Sequence, residues 1–354
     1  MENVTEDKSK INNQNIEKDN NTYNWGLDLI RVLAMFFVIL VHSTSFYGFA
    51  GAEISSFSTF MAGIGRYLSY TCIPLFLILT GYLNSNKKPC FAYYYIKLLK
   101  IVIEFVLCAV VILIINRFCF DYDITLDSIV PNYSWYINMY IGLFLLAPFL
   151  NYLYHGIPDK YKWGFIITLL LIFSYPHITS YWTVAYPIMF YFIGSFLKDK
   201  QFKIKKYILL LGIVGICIVQ TILAKLNLSI YSPESHNNIG CVVLSVAIFL
   251  LLYDLNVAKN TKKIKVVKPL RIIANASLST FLISEIFESL TANMFAKLEL
   301  ISFADRLPHL TYLTPLKFIA SIICGLIISF IAVQLYRLAL KLIEKCSRRK
   351  NNKN

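Results

Sequence analysis

Ten mostly apolar runs stand out along the chain, at 26–47, 62–83, 95–115, 134–153, 161–175, 181–197, 206–224, 239–255, 272–295 and 316–342. Most approach the roughly 20 residues that an α-helix needs to cross a bilayer. The pattern predicts an all-α fold, a polytopic membrane helix bundle of about ten transmembrane helices. Pro74, Pro148 and Pro187 lie inside apolar runs. Each is expected to kink its helix and free backbone groups that neighbours or a cavity must satisfy. Residues 1–24 are polar and read as a disordered tail rather than a signal peptide. Residues 25–343 form the transmembrane domain, and 344–354 are a basic tail.

Charge orients this bundle. Lys and Arg concentrate in alternate gaps: Lys87, Lys88, Lys97 and Lys100; then Lys160 and Lys162; then Lys198 to Lys206; then Lys259 to Arg271; then the C-terminal tail. The gaps between them are poor in cations. Basic gaps mark the cytoplasmic side, so both termini are expected in the cytoplasm, in a multi-pass protein of the cell membrane. Composition agrees, with 57% hydrophobic and only 15% charged residues, where a soluble domain carries about 25% charged. The net charge of +14 is dispersed over these gaps and implies no nucleic-acid partner. The eight cysteines form no CxxC pair, and most sit in apolar runs as small hydrophobes. Neither a disulfide framework nor a metal site is expected.

Ionisable residues inside apolar runs are the costly ones. Arg31 and His42 lie in the first run, 11 residues apart. That separation is close to three turns, so both side chains share one helix face, roughly 16 Å apart along the axis. Arg31 is then near the cytoplasmic end and His42 near the outer end. The plain alternative is that Arg31 snorkels and pairs with Asp28 while His42 caps the helix. A pair on one face of an otherwise apolar helix favours function.

The segment from Asp28 through Arg31 to His42 resembles the Arg-x10-His signature of the acyltransferase-3 family of integral-membrane acyltransferases. Further stretches are similar to the family's: Ile73-Pro-Leu-Phe-Leu-Ile-Leu-Thr-Gly-Tyr82, Trp135-Tyr136 with Tyr140 and Pro148, and Phe192-Ile-Gly-Ser-Phe-Leu197. The resemblance covers about residues 25–343. It implies a ten-helix core that uses acyl-CoA, usually acetyl-CoA, to modify surface glycans, lipids or related hydroxyl acceptors. It also implies that His42 is catalytic and Arg31 essential. Two departures stand out. Lys97-Leu-Leu-Lys100 replaces a frequent Arg-x-x-Arg, which keeps the charge and loses the fork. Ser284 stands where many members carry a late-helix His.

On that resemblance, Arg31, Lys97 and Lys100 are the expected acyl-CoA site, and the donor's extended arm runs along the first helix to His42. Imidazole titrates near neutral pH and suits a general base. Trp135, Tyr136, Tyr140, Ser284 and Glu285 are candidates for acceptor contact, although Trp135 and Tyr136 equally fit an interfacial aromatic belt. Glu104 is expected to pair with Lys100 at i+4. Glu285 and Glu288 either line a polar cavity or belong to a frayed, solvated helix end. His155, His177, His236 and His309 fall in gaps and are expected to face solvent. A rival class is a transporter or flippase for a lipid-linked glycan, which would also carry kinked helices and intramembrane carboxylates. A protein that keeps the membrane fold without catalysis is a second rival.

Overall fold

The computed structural model describes residues 22–351 except 46, 50–51, 88–90, 121–133, 175–181, 227–234 and 260. It is helical almost throughout. The helices are α1 (Gly26–Ser45), α2 (Phe57–Ser69), α3 (Cys72–Asn84), α4 (Phe91–Phe120), α5 (Ser134–Gly156), α6 (Lys162–Ser174), α7 (Tyr186–Lys200), α8 (Lys206–Lys225), α9 (Ile239–Leu252), α10 (Lys263–Asn275), α11 (Ser277–Lys297) and α12 (Phe303–Asn351). Two short strands, β1 (Thr22–Asn24) and β2 (Asn256–Ala258), pair antiparallel with Tyr23 opposite Val257. Three residues of the expected N-terminal tail therefore join the folded body, and the expected basic tail continues α12 to Asn351.

Hydrogen bonds between element ends show that the basic gaps gather at one end of the bundle. Trp25 N donates to Leu255 O at 3.1 Å, and Asn24 Nδ2 donates to Tyr253 O at 2.8 Å. Asn151 Nδ2 reaches Asn84 O at 2.8 Å, and Lys162 pairs with Asp199 at 2.7 Å. Lys206 pairs with Asp254 at 3.0 Å. At the opposite end, Asn237 Nδ2 donates to Phe173 O at 2.6 Å, and Tyr47 stacks edge-on with Phe295 at 4.9 Å.

Among the described residues, six helical stretches are long and apolar enough to cross a membrane, or seven if the bent pair α10–α11 is one span. The expected runs at 161–175, 181–197 and 239–255 give helices of only 13, 15 and 14 residues, short of a bilayer crossing by length alone. α7 is nonetheless in the core: every residue from Met189 to Leu197 is buried. The outward faces of α4, α8 and α12 are apolar. Val102, Val106, Val110 and Ile114 on α4, and Leu316, Ile319, Ile323 and Ile327 on α12, are all more than a third exposed. Rows at three- and four-residue spacing on one helix face, bare of polar groups, require an apolar solvent, which is the bilayer.

The prolines act differently from one another. Pro148 stays inside α5. Pro187 falls in the first turn of α7, where its missing N–H costs nothing, so it starts a helix rather than kinking one. Pro74 lies just after a break between α2 and α3. An uninterrupted helix would need the residue 74 N–H to bond Tyr70 O, and proline has none. That carbonyl instead accepts from His236 Nδ1 at 2.9 Å and from Cys241 Sγ at 3.5 Å. The expected run 272–295 is also two helices, bent by 67° between Asn275 and Ser277.

α3 and α7 cross with backbones in contact. A Cβ on Gly81 would meet Tyr191 O at 2.0 Å, and one on Gly194 would meet Ile78 O at 2.0 Å. Small residues permit such an approach inside a membrane. Gly194→Ala should therefore force the pair apart and destabilise the protein by about 1–3 kcal/mol, read as a lowered melting temperature of the detergent-purified protein. An unchanged melting temperature would mean that the crossing relaxes freely.

Candidate functional site

α1 is the axis of the site. At the basic end Arg31 Nη1 donates to Asp28 Oδ1 at 2.8 Å, while the hydroxyl of Tyr23 donates to the other Asp28 oxygen. Burial first, then the hydrogen bond and charge of Asp28, push the Tyr23 phenol up to about 12. The Arg31–Asp28 pair of the plain alternative is thus present, but it does not remove Arg31 from the interior. Arg31 lines a cavity of about 280 Å³ together with Lys87, Lys97, Lys100, Tyr136 and Tyr140. Lys100 pairs with Glu104 at 3.4 Å as expected, and Lys97 Nζ lies 5.8 Å from the centre of the Phe144 ring. Tyr136, Tyr140 and Phe144 recur every fourth residue on α5 and stack in series at 6.1 and 6.2 Å. They give the cavity one aromatic wall.

A second cavity of about 380 Å³ opens at the other end, lined by His42, Ser45, Tyr70, Cys72, Trp135 and His236. Val38, Ile73 and Phe281 line both cavities. The two spaces are therefore back to back along α1, with Arg31 in one and His42 in the other. Of the expected acceptor contacts, Tyr136 and Tyr140 lie in the first cavity and Trp135 in the second. Ser284 and Glu285 are buried in α11 and line neither. The Ser284 hydroxyl folds back on Phe281 O at 2.7 Å.

The His42 end of α1 is held by two buried cations in apolar runs that sequence reasoning passed over. Lys317 Nζ lies 2.8 Å from Glu288 Oε2 and donates to Ser43 Oγ at 2.6 Å. Ser43 Oγ donates to Glu288 Oε1 at 3.3 Å, and Tyr47 OH to Glu288 Oε2 at 3.1 Å. Of the two readings left open for Glu288, the frayed and solvated one is excluded, since it is 5% exposed. Arg66, 2% exposed, donates to Thr44 Oγ1 and Ser45 Oγ, each at 3.1 Å, and to Tyr70 OH at 3.3 Å. Both clusters seize the residues next to His42. The signal that would have found them was a single cation within a long apolar run, at Arg66 and Lys317.

Among the histidines, His155 is exposed as expected, whereas His236 departs from expectation. His155 lies in α5 with its Nε2 2.7 Å from Ser85 O, and His309 in α12 against Tyr312 OH. His177 falls outside the described residues. His236, expected in solvent, is drawn inward by the freed Tyr70 carbonyl and lines the same cavity as His42. Burial lowers its pKa below that of ordinary imidazole. No group of three or more metal-ligating side chains occurs among the described residues.

A family model described as an acyltransferase domain matches residues 24–334. No curated protein and no solved structure matches the chain.

Proposed function

The chain belongs to the acyltransferase-3 family, and on that premise we propose that it moves an acyl group, acetyl first among candidates, from cytoplasmic acyl-CoA to a hydroxyl of an acceptor outside the plasma membrane, such as a cell-surface polysaccharide. The observation that carries this reading is the pair of cavities meeting at Val38, Ile73 and Phe281. An acyl donor and an acceptor that approach from opposite faces need such a meeting point.

The basic end takes the cytoplasmic side because cations accumulate there. Arg31, Lys97 and Lys100 then receive the phosphates of the donor, Lys as a point charge and Arg as a planar fork. The thioester arm follows α1 past the aromatic wall of α5 toward His42. His42 takes the proton of the acceptor hydroxyl as its oxygen attacks the thioester carbon. The C–O bond forms, the C–S bond breaks, and the His42 imidazolium gives the same proton to the leaving thiolate, so that the imidazole is restored and the donor departs as the free thiol toward the basic end.

The test is purified protein in lipid nanodiscs with labelled acetyl-CoA and extracted surface polysaccharide. Label in the polysaccharide supports the reading, whereas polysaccharide moved across vesicles without label supports the transporter. The donor site has its own expected result. Lys97→Ala and Lys100→Ala should each weaken acyl-CoA binding about two- to tenfold, and Lys→Arg at either position should be tolerated. Arg31→Lys should cost more than either, because the ammonium cannot keep the fork on Asp28 and a phosphate together. Added salt should weaken wild-type binding. Alanine variants that bind as tightly as wild type would make these cations topology anchors only.

A further inference from the structure

The outer cavity holds a second imidazole that the reading above leaves unused. His236 sits in the turn leading into α9, and that turn is tied down on both sides. Asn237 Nδ2 donates to Phe173 O at 2.6 Å. Asn238 accepts from Gly240 N at 2.8 Å as the cap of α9, while its own N–H donates to Ser235 O at 3.2 Å. The ring is flanked by Tyr70 at 5.3 Å and Tyr186 at 6.4 Å between centroids. A side chain supported in this way holds its orientation.

Chemistry also assigns its proton. Nδ1 lies 2.9 Å from Tyr70 O, and a carbonyl oxygen can only accept. Nδ1 therefore carries the hydrogen, and Nε2 of the neutral ring carries the lone pair. The chain of causes begins in the sequence: Pro74 has no N–H, so Tyr70 O is open, and His236 closes it. What remains for a ligand in the cavity is one hydrogen-bond acceptor at a fixed place.

We propose that His236 is an acceptor-binding residue, whose Nε2 receives a hydrogen bond from a group beside the reacting hydroxyl and so turns that hydroxyl toward His42. The proposal rests on the acyl-transfer reading. It defines the acceptor class more narrowly than a hydroxyl does. A lone pair needs a donor, so the acceptor carries a second hydroxyl or an N–H next to the one that is acylated, as a sugar or polyol does. A monohydric alcohol would leave Nε2 without a partner. His236 itself gains and loses no proton in the reaction.

Two variants separate binding from mere support. His236→Asn puts an amide N–H where Nδ1 was and nothing where Nε2 was. His236→Gln puts an amide oxygen near the Nε2 position and gives up Tyr70 O. Each is purified in nanodiscs and assayed for acyl-CoA binding and for label transferred from acetyl-CoA to extracted surface polysaccharide over a range of polysaccharide concentrations. His236→Asn is expected to raise the polysaccharide concentration for half-maximal transfer by about tenfold or more, the effect of one lost hydrogen bond in a desolvated site, with acyl-CoA binding unchanged. His236→Gln is expected to retain more transfer than His236→Asn. Wild-type behaviour of His236→Asn would overturn the proposal. So would joint loss of transfer and acyl-CoA binding in both variants, which would make His236 a folding residue. A wild type that binds no acyl-CoA and transfers no label would fail at the earlier step and remove the acyl-transfer reading itself.

Discussion

His42→Ala is expected to abolish most acyl transfer while the protein still inserts, folds and binds acyl-CoA. General-base catalysis contributes about 10²–10⁴-fold, so the rate should fall by at least that order. Donor binding should survive because Arg31, Lys97 and Lys100 lie in the other cavity, roughly three helical turns from His42. Folding should survive because the imidazole lines an open cavity rather than the packed core, and the clusters that fix this end of α1 act through Ser43, Thr44 and Ser45. The measurement is label transfer from acetyl-CoA beside a binding titration on the same preparation. Near-normal turnover would move the proton to another group, and His236 is the other imidazole in that cavity. Loss of donor binding along with transfer would mean that His42 is structural.

The helices and the basic end were legible in the sequence because both follow from one-dimensional patterns, apolar length and the placement of cations. The shared face of Arg31 and His42 was legible for the same reason: helix geometry converts 11 residues into an orientation. The Lys100–Glu104 and Arg31–Asp28 pairs are local, within four residues, and were readable too. What the sequence concealed is long-range. Glu288 meets Lys317 across 29 positions, and Ser43 meets Lys317 across 274. Nothing in the run around His236 signals that a carbonyl 166 positions away will capture it. Pro74 was legible as a disturbance, but not which side chain would answer it. Ser284 and Glu285 mislead for a related reason: their polarity marks them as unusual in a membrane helix, but their place on α11 sets them outside both cavities.

Breaking the Glu288–Lys317 pair should be the most damaging change to stability. Both groups are 5% exposed, on α11 and α12, two helices that the bilayer surrounds, so a lone charge left behind has no water to turn to. Removing one partner of a buried pair costs about 3–5 kcal/mol, whereas replacing both by well-packed neutral groups is often close to neutral. Lys317→Met should therefore leave the Glu288 carboxylate with only Ser43 and Tyr47. Glu288→Gln should leave the ammonium with Ser43 and a weaker amide acceptor. Either single variant is expected to accumulate poorly and to unfold early in a denaturant titration of the detergent-purified protein. The double variant, Glu288→Gln with Lys317→Met, should recover most of the loss, because neither uncompensated charge remains. The non-additivity of this cycle is the informative number, since it isolates the pair from each residue's other contacts. Because Ser43 adjoins His42 and is held by Lys317, the folded fraction of either single variant should also transfer acyl groups more slowly than its amount explains. Single variants as stable as wild type, or a double variant no better than the worse single, would show that the pair does not hold α1, α11 and α12 together at the His42 end of α1.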